Sequence, residues 1–298
     1  MDAVHKHTLS TSDVARLFEV TETTIKRWAD GGELPCDKTP GGHRKFHLPS
    51  VLDFAKSNGL HLPALPWTEL PGRVSAAIDA GDFEALNDTL LTEALSERPG
   101  AVTDFILGLL YANIPIAAVA DNVIQGTMRR IGDLWLAGDV GADMEHRVSY
   151  ELMNAISRFE SYRAPSPRTP QRILLACPSG EWHELGLRII AGMVRLEGWE
   201  VVYLGASNPG HDIIRAVATH RPAVTCLSIT RSDTTPERQA ELREIYRAIR
   251  DTDGRLVLGG PGTNRRYADA RICDAVRTSA TGLLEYLRST IPSSPVVA

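Results

Sequence analysis

Within the ten residues CPSGEWHELG, 177 to 186, the chain gathers Glu181, His183, Glu184 and two glycines directly after the apolar run RILLA. A linker needs none of these. An imidazole presented from such a loop can partner a nucleophile, ligate zinc, or serve as an axial ligand to a large cofactor. Zinc requires two or three further His or Cys at ligand spacing, and none is nearby. Acyl transfer through Ser179 would want the G-x-S-x-G elbow, which is absent. A second group of reactive types lies upstream in GDLWLAGDVGADMEH, where Trp135 precedes Glu145 by ten residues and His146 follows. A third lies near the start of the chain, in TETTIKRW and GGHRKF. There Thr23, Thr24, Lys26, Arg27, His43, Arg44 and Lys45 are donors of the kind that meet phosphates and base edges.

These groups fall in three blocks of different pattern. Up to about residue 62, TSDVARLFEVTETTIKRWADGGELP reads as two short helices with a tight turn near Glu19 to Thr21. Val14, Ala15 and Leu17 supply one apolar face and Val20, Ile25 and Trp28 the other, with Thr21 placed to cap the second helix. The segment TPGGHRKF then gives a glycine turn, a basic tip and Phe46 as an anchor, which suits a wing laid on a sugar–phosphate backbone. Pro63, Pro66 and Pro71 mark a linker. Residues 72 to 163 space their apolar residues by three and four, as a four-helix bundle does. After the break RAPSPRTP, the runs RILLAC, EVVYLG, AVTCLSIT and RLVLGG alternate with helical stretches near 185 to 198, 210 to 220, 236 to 251 and 267 to 275. That alternation predicts a doubly wound, flavodoxin-like parallel sheet over 170 to 291, with ligands at the carboxyl ends of its strands.

Composition narrows the partners. The chain has 298 residues and a net charge of −5. Residues 1 to 61 are neutral, with eight basic and eight acidic side chains and five of the nine histidines, so the acidity lies entirely beyond them. The polar N-terminus resembles no secretory signal and no apolar run nears the roughly 20 residues of a membrane span, so a cytoplasmic protein without membrane contact is expected. Cys36, Cys177, Cys226 and Cys273 form no C-x-x-C pair and read as reduced, buried residues.

The first block, VARLFEVTETTIKRW followed by GGHRKF, resembles the winged-helix DNA-binding domain of MerR-type regulators. Glu181-x-His183-x-x-Gly186 resembles the D-x-H-x-x-G loop of cobalamin-binding domains, with Glu for Asp. That resemblance implies His183 as the lower cobalt ligand, Glu181 as the acid fixing its tautomer, and Gly186, Ser228, Thr230, Gly259 and Gly260 around the displaced nucleotide tail. With W-x9-E-H between them, the order of motifs resembles the CarH/LitR family of light-responsive repressors across almost the whole chain. The resemblance implies adenosylcobalamin as cofactor, with Trp135, Glu145 and His146 around its upper group, and homotetramers that hold operator DNA in the dark and come apart in light. Members of that family with the well-described photoproduct have a histidine directly after the tryptophan, which takes the upper cobalt position after photolysis. Here Leu136 stands there, and leucine ligates no metal; His146 or water would have to serve. A cofactor sensor indifferent to light is the alternative that Leu136 supports. An enzyme is not expected, because a DNA reader is present and no substrate barrel accompanies the sheet.

Overall fold

The computed structural model describes residues 8–62, 65, 70–96, 98–162, 171–231, 235–263, 267 and 272–291. The linker segments expected at 63–71 and 163–170 lie largely or wholly outside these residues.

Local chemistry sets the first helices. Ser10 and Asp13 form a reciprocal capping box at the start of α1 (Thr11–Leu17), and Glu19 takes a positive φ of 53° in the turn that follows. The Thr21 hydroxyl caps α2 (Glu22–Asp30) by accepting from the Thr24 amide at 3.3 Å. Strands β1 (Leu9–Ser10), β2 (Asp37–Lys38) and β3 (Arg44–Phe46) make an antiparallel sheet in the order β1-β3-β2. Phe46 is fully buried beneath it. Helix α3 (Leu48–Asn58) closes the unit, with Phe54 packed against Phe18 and Trp28 at ring separations of 6.0 and 5.0 Å.

The helical region contains α4 (Gly72–Ala80), α5 (Phe83–Leu95), α6 (Ala101–Tyr111), α7 (Ile116–Ala118), a π-helical turn (Val119–Ile124), α8 (Gln125–Ala137) and α9 (Ala142–Tyr162). The α7, π and α8 segments run on as one helix, which with α5, α6 and α9 builds a four-helix core; α4 lies against α5. Helix α6 is apolar nearly all round and is correspondingly buried. Its free N-terminal amides are met from outside by the buried carboxylate of Glu151 on α9, which accepts from Val102 and Thr103 at 3.0 and 3.3 Å. The π turn has a side-chain cause as well. Asn87 of α5 donates to the Val123 carbonyl at 3.2 Å, and it sits where a Cβ on Gly126 would be.

The C-terminal region is a five-stranded parallel sheet of β4 (Arg172–Pro178), β5 (Glu200–Asn208), β6 (Val224–Ser228), β7 (Arg255–Gly259) and β8 (Ala275–Val276), in the order β5-β4-β6-β7-β8. Helices α10 (Leu185–Leu196), α11 (Gly210–His220), α12 (Pro236–Arg250) and α13 (Ala280–Thr290) accompany it. This is the doubly wound order whose switch point falls between β4 and β6. One expectation is corrected. The helix expected near 267 to 275 stops short of its far end: Tyr267 is helical, but 272–274 are not and Ala275–Val276 form strand β8; residues 264–266 and 268–271 lie outside the described set. Consequently Gly259 ends an interior strand rather than the last one.

Among the described residues no helix is long and apolar enough to cross a membrane. Cys177, Cys226 and Cys273 are buried and Cys36 is half-buried, all as free thiols. Burial pushes the thiols of Cys177 and Cys226 up to about 12, so both are inert at neutral pH.

Candidate functional site

A cavity of about 470 Å³ opens at the carboxyl ends of β4, β6 and β7, where the switch point lies. His183, Gly186, Ser228, Thr230, Gly259 and Gly260 all line it, drawn together from three strand ends and the start of α10. The loop that carries His183 is tied down on both sides: Glu181 N–H donates to the Pro178 carbonyl at 3.0 Å, and Ser207 N–H donates to the Glu181 carbonyl at 2.9 Å.

The buried Glu181 carboxylate, 1% exposed, is directed away from solvent. It accepts from the amides of Thr230 and Arg231 at 3.1 and 3.2 Å and from the Thr230 hydroxyl. The same Thr230 Oγ1 stands 3.4 Å from His183 Nδ1. A hydroxyl that gives its one proton to the carboxylate can only accept from Nδ1–H, which leaves Nε2 with a free lone pair. The Thr230 hydroxyl thus lies between the Glu181 carboxylate and the His183 ring. Thr230 belongs to the histidine relay as well as to the cavity wall.

The glycines divide by role. A Cβ on Gly186 would meet nothing within 4 Å, so this position leaves open space in the cavity. Gly260 has a φ of +93°, and a Cβ there would stand 2.4 Å from the Ile229 carbonyl oxygen. At Gly259 it would approach the Arg277 carbonyl to 3.0 Å. Gly259 and Gly260 line the cavity, as expected of residues beside a ligand, and neighbouring backbone is a further reason for glycine at both positions. Gly260→Ala should lower stability by about 2 kcal/mol or more through strain and backbone collision, read as a lower thermal midpoint. Gly186→Ala should leave that midpoint within a few degrees of wild type.

The opposite wall comes from the bundle. Ala120, Asp121 and Ile124 of the π turn and Gln125, Met128 and Arg129 of α8 line the same cavity. Asp121 fastens the two regions by accepting from the amides of Ala280 and Thr281 at 2.7 and 2.9 Å at the start of α13. Sequence reasoning missed this wall, although Met128 lies one heptad before Trp135, a spacing that keeps both on one helical face. Trp135, Glu145 and His146 do not line the cavity. They occupy the end of α8 and the first turns of α9, which the short connection between those helices keeps at one end of the bundle. Trp135 is 51% exposed, His146 is exposed, and Glu145 accepts from the Ser149 hydroxyl at 2.8 Å. Leu136 and Trp182, the latter between Glu181 and His183, are exposed too. Among the described residues no cluster of three His, Cys, Asp or Glu gathers to hold a metal ion.

At the other end of the chain, Thr23, Lys26 and Arg27 lie exposed on α2, and Lys26 is loosely paired with Glu22 at 3.6 Å. The Thr24 hydroxyl is 3.0 Å from that of Thr21 and belongs to the helix cap. His43 and Lys45 sit on the wing. Arg44 does not project from it as expected. Its side chain is docked on Asp30 at the end of α2, which fastens the wing to that helix and holds the Asp30 carboxyl below the usual carboxylate range.

Comparison with known proteins places two of the three regions. Residues 8–59 match the model of a helix-turn-helix domain, and residues 171–288 match that of the B12 binding domain. The HTH-type transcriptional repressor CarA of Myxococcus xanthus is 34% identical over 265 residues, covering 86% of this chain and 87% of that protein. The chain belongs to the family of CarA-type transcriptional repressors. A second member, the repressor CarH of the same organism, is 28% identical over 79% of this chain and 83% of its own. In fold alone, the monomethylamine corrinoid protein of Methanosarcina barkeri covers 71% of this chain and 99% of its own with a TM-score of 0.53 at 16% identity. The protein is therefore a DNA-binding transcription regulator of the repressor type that carries a cobalamin-binding domain.

Proposed function

We propose that this repressor binds adenosylcobalamin between its sheet and its helical bundle, and that light controls its grip on operator DNA through its state of assembly. The observation that carries the reading is the Glu181–Thr230–His183 relay, which leaves Nε2 of an exposed imidazole free at the mouth of a cavity at the sheet's switch point. Those residues fit the group. Nε2 is a nitrogen ligand for cobalt, the relay is the support that metal-bound histidines ordinarily have, and the space beside Gly186 suits the nucleotide tail, with Ser228 offering a hydroxyl. A cobalt–carbon bond that visible light breaks is what adenosylcobalamin supplies when bound.

The protein's own residues then do three things. His183 holds the lower face while Glu181 and Thr230 keep its proton on Nδ1. Trp135, Glu145 and His146, at one end of the bundle, bound the upper group. Thr23, Lys26 and Arg27 on α2, with His43 and Lys45 on the wing, meet DNA. One such reader touches few phosphates, so holding several in one homotetramer raises effective affinity by orders of magnitude, and disassembly lowers it. Arg27→Ala should weaken operator binding about tenfold or more and lessen its salt dependence while cobalamin uptake is unchanged. Arg44→Ala should weaken binding less, through a loosened wing. Electrophoretic mobility assays across a salt series check both.

Leu136 favours a second reading, a cobalamin sensor indifferent to light, because no histidine stands beside Trp135 to take the upper position. The deciding experiment is the visible spectrum of protein incubated in the dark with adenosylcobalamin and desalted, taken before and after green light, with molecular mass measured in parallel. A retained spectrum and a mass that both change on illumination are expected. A retained but light-stable spectrum selects the sensor, and a colourless protein overturns both readings.

A further inference from the structure

Glycine inside a helix is costly in backbone entropy, so its presence calls for a physical cause. At Gly126 the cause is visible: a Cβ would lie 2.0 Å from Asn87 Nδ2, the group that holds the π turn. At Gly192 it would lie 2.5 Å from both Ile156 and Glu160, where α10 meets α9. Gly132, in the middle of α8, and Gly186, in the first turn of α10, differ from these. A Cβ at either would meet nothing within 4 Å.

Gly186 lines the cavity, which accounts for it. Gly132 does not, yet helix geometry places it on the extension of the cavity wall. With 3.6 residues per turn its direction falls about 20° from that of Gln125 and about 40° from that of Met128, both of which line the cavity. It lies roughly 6 Å farther along the axis than Met128, and the half-exposed Trp135 follows one turn beyond. A wall built of side chains up to Met128 therefore steps back to bare backbone at Gly132 and forward again at Trp135. A recess of that kind, with no neighbouring atom within 4 Å of where a Cβ would stand, admits a broad ligand against the helix.

We infer that Gly132 is a contact residue for the upper side of the bound cobalamin, where the bare backbone of α8 lets the ring's substituent approach between Met128 and Trp135. This rests on the proposed cobalamin reading. It adds a residue that neither the W-x9-E-H pattern nor the cavity lining includes.

The test compares wild type with Gly132→Ala and Gly132→Leu in the full-length protein. Thermal midpoints are measured without cofactor, and dissociation constants are measured in the dark for adenosylcobalamin and for hydroxocobalamin, whose upper group is small. Without cofactor, the Ala variant should melt about 2 to 4 °C higher than wild type, because its Cβ has room and the helix gains. Adenosylcobalamin should bind the Leu variant at least tenfold more weakly, and hydroxocobalamin should lose markedly less. A lower midpoint for the Ala variant would mean that the glycine is structural and would overturn the inference. Unchanged adenosylcobalamin affinity in the Leu variant, with wild type binding normally, would overturn it alone. Failure of wild type to bind either cobalamin would instead remove the reading beneath it.

Discussion

Replacing His183 with Ala is expected to abolish any histidine-bound cobalamin spectrum and to weaken cofactor retention by about 100-fold or more, while the fold survives. The survival follows from the surroundings. His183 is exposed, and among the described residues its one side-chain hydrogen bond is the 3.4 Å contact with Thr230, so its removal leaves the Thr230–Glu181 bond intact and should cost within about 0.5 kcal/mol. Circular dichroism and the thermal midpoint should match wild type, with absorbance after desalting reporting the loss. Thr230→Val separates ligand from orienting group. It preserves the shape of the side chain but removes the hydroxyl, so the imidazole loses its fixed tautomer, and retention should fall by about 10- to 100-fold with the histidine-bound spectrum still attainable at saturation. If His183→Ala still shows that spectrum, the ligand has been misassigned.

The second large effect concerns stability. Glu181→Ala removes the acceptor for two backbone amides and one hydroxyl at a buried position. Each amide left without a partner costs about 1–3 kcal/mol, so the loss should reach about 3 kcal/mol and lower the thermal midpoint by roughly 10 °C. Glu181→Gln keeps one acceptor oxygen but turns the other into a donor facing an N–H, so it should fall between Ala and wild type. The loop from Pro178 to Leu185 would loosen together with the end of β6, since Glu181 is what joins them. Differential scanning calorimetry of the three proteins checks the order; an Ala variant as stable as wild type would show that the carboxylate is not the clamp described.

Both predictions depend on residues that local pattern reached unequally. Glu181 and His183 stand two apart in one loop, and the spacing of the motif exposes them. Thr230 was legible as a strand-end hydroxyl, yet its place between the other two is fixed by a contact 47 residues away along the chain. Arg44 shows the same limit. As a basic residue after a glycine turn it reads as a DNA contact, and only the approach of the wing to the end of α2 pairs it with Asp30. In the sheet, the strong strand RLVLGG was evident, whereas β8 is two residues long and has no periodicity to detect. The bundle wall of the cavity was hidden for a related reason. Its residues are ordinary members of an amphipathic helix until Asp121 fixes that helix to the start of α13, 159 positions later.

What the sequence determined by itself was the order of reader, bundle and sheet, the capped helix pair, and the loop with its acid, imidazole and glycine. Those features follow from turn chemistry, caps and apolar periods that act over a few residues. Tertiary structure alone decided which hydroxyl lies beside His183, which glycines are hemmed in by backbone and which have open space, and which face of α8 lines the cavity. Each of these is settled by a contact across long stretches of chain, and such contacts leave no signature in the spacing of either partner.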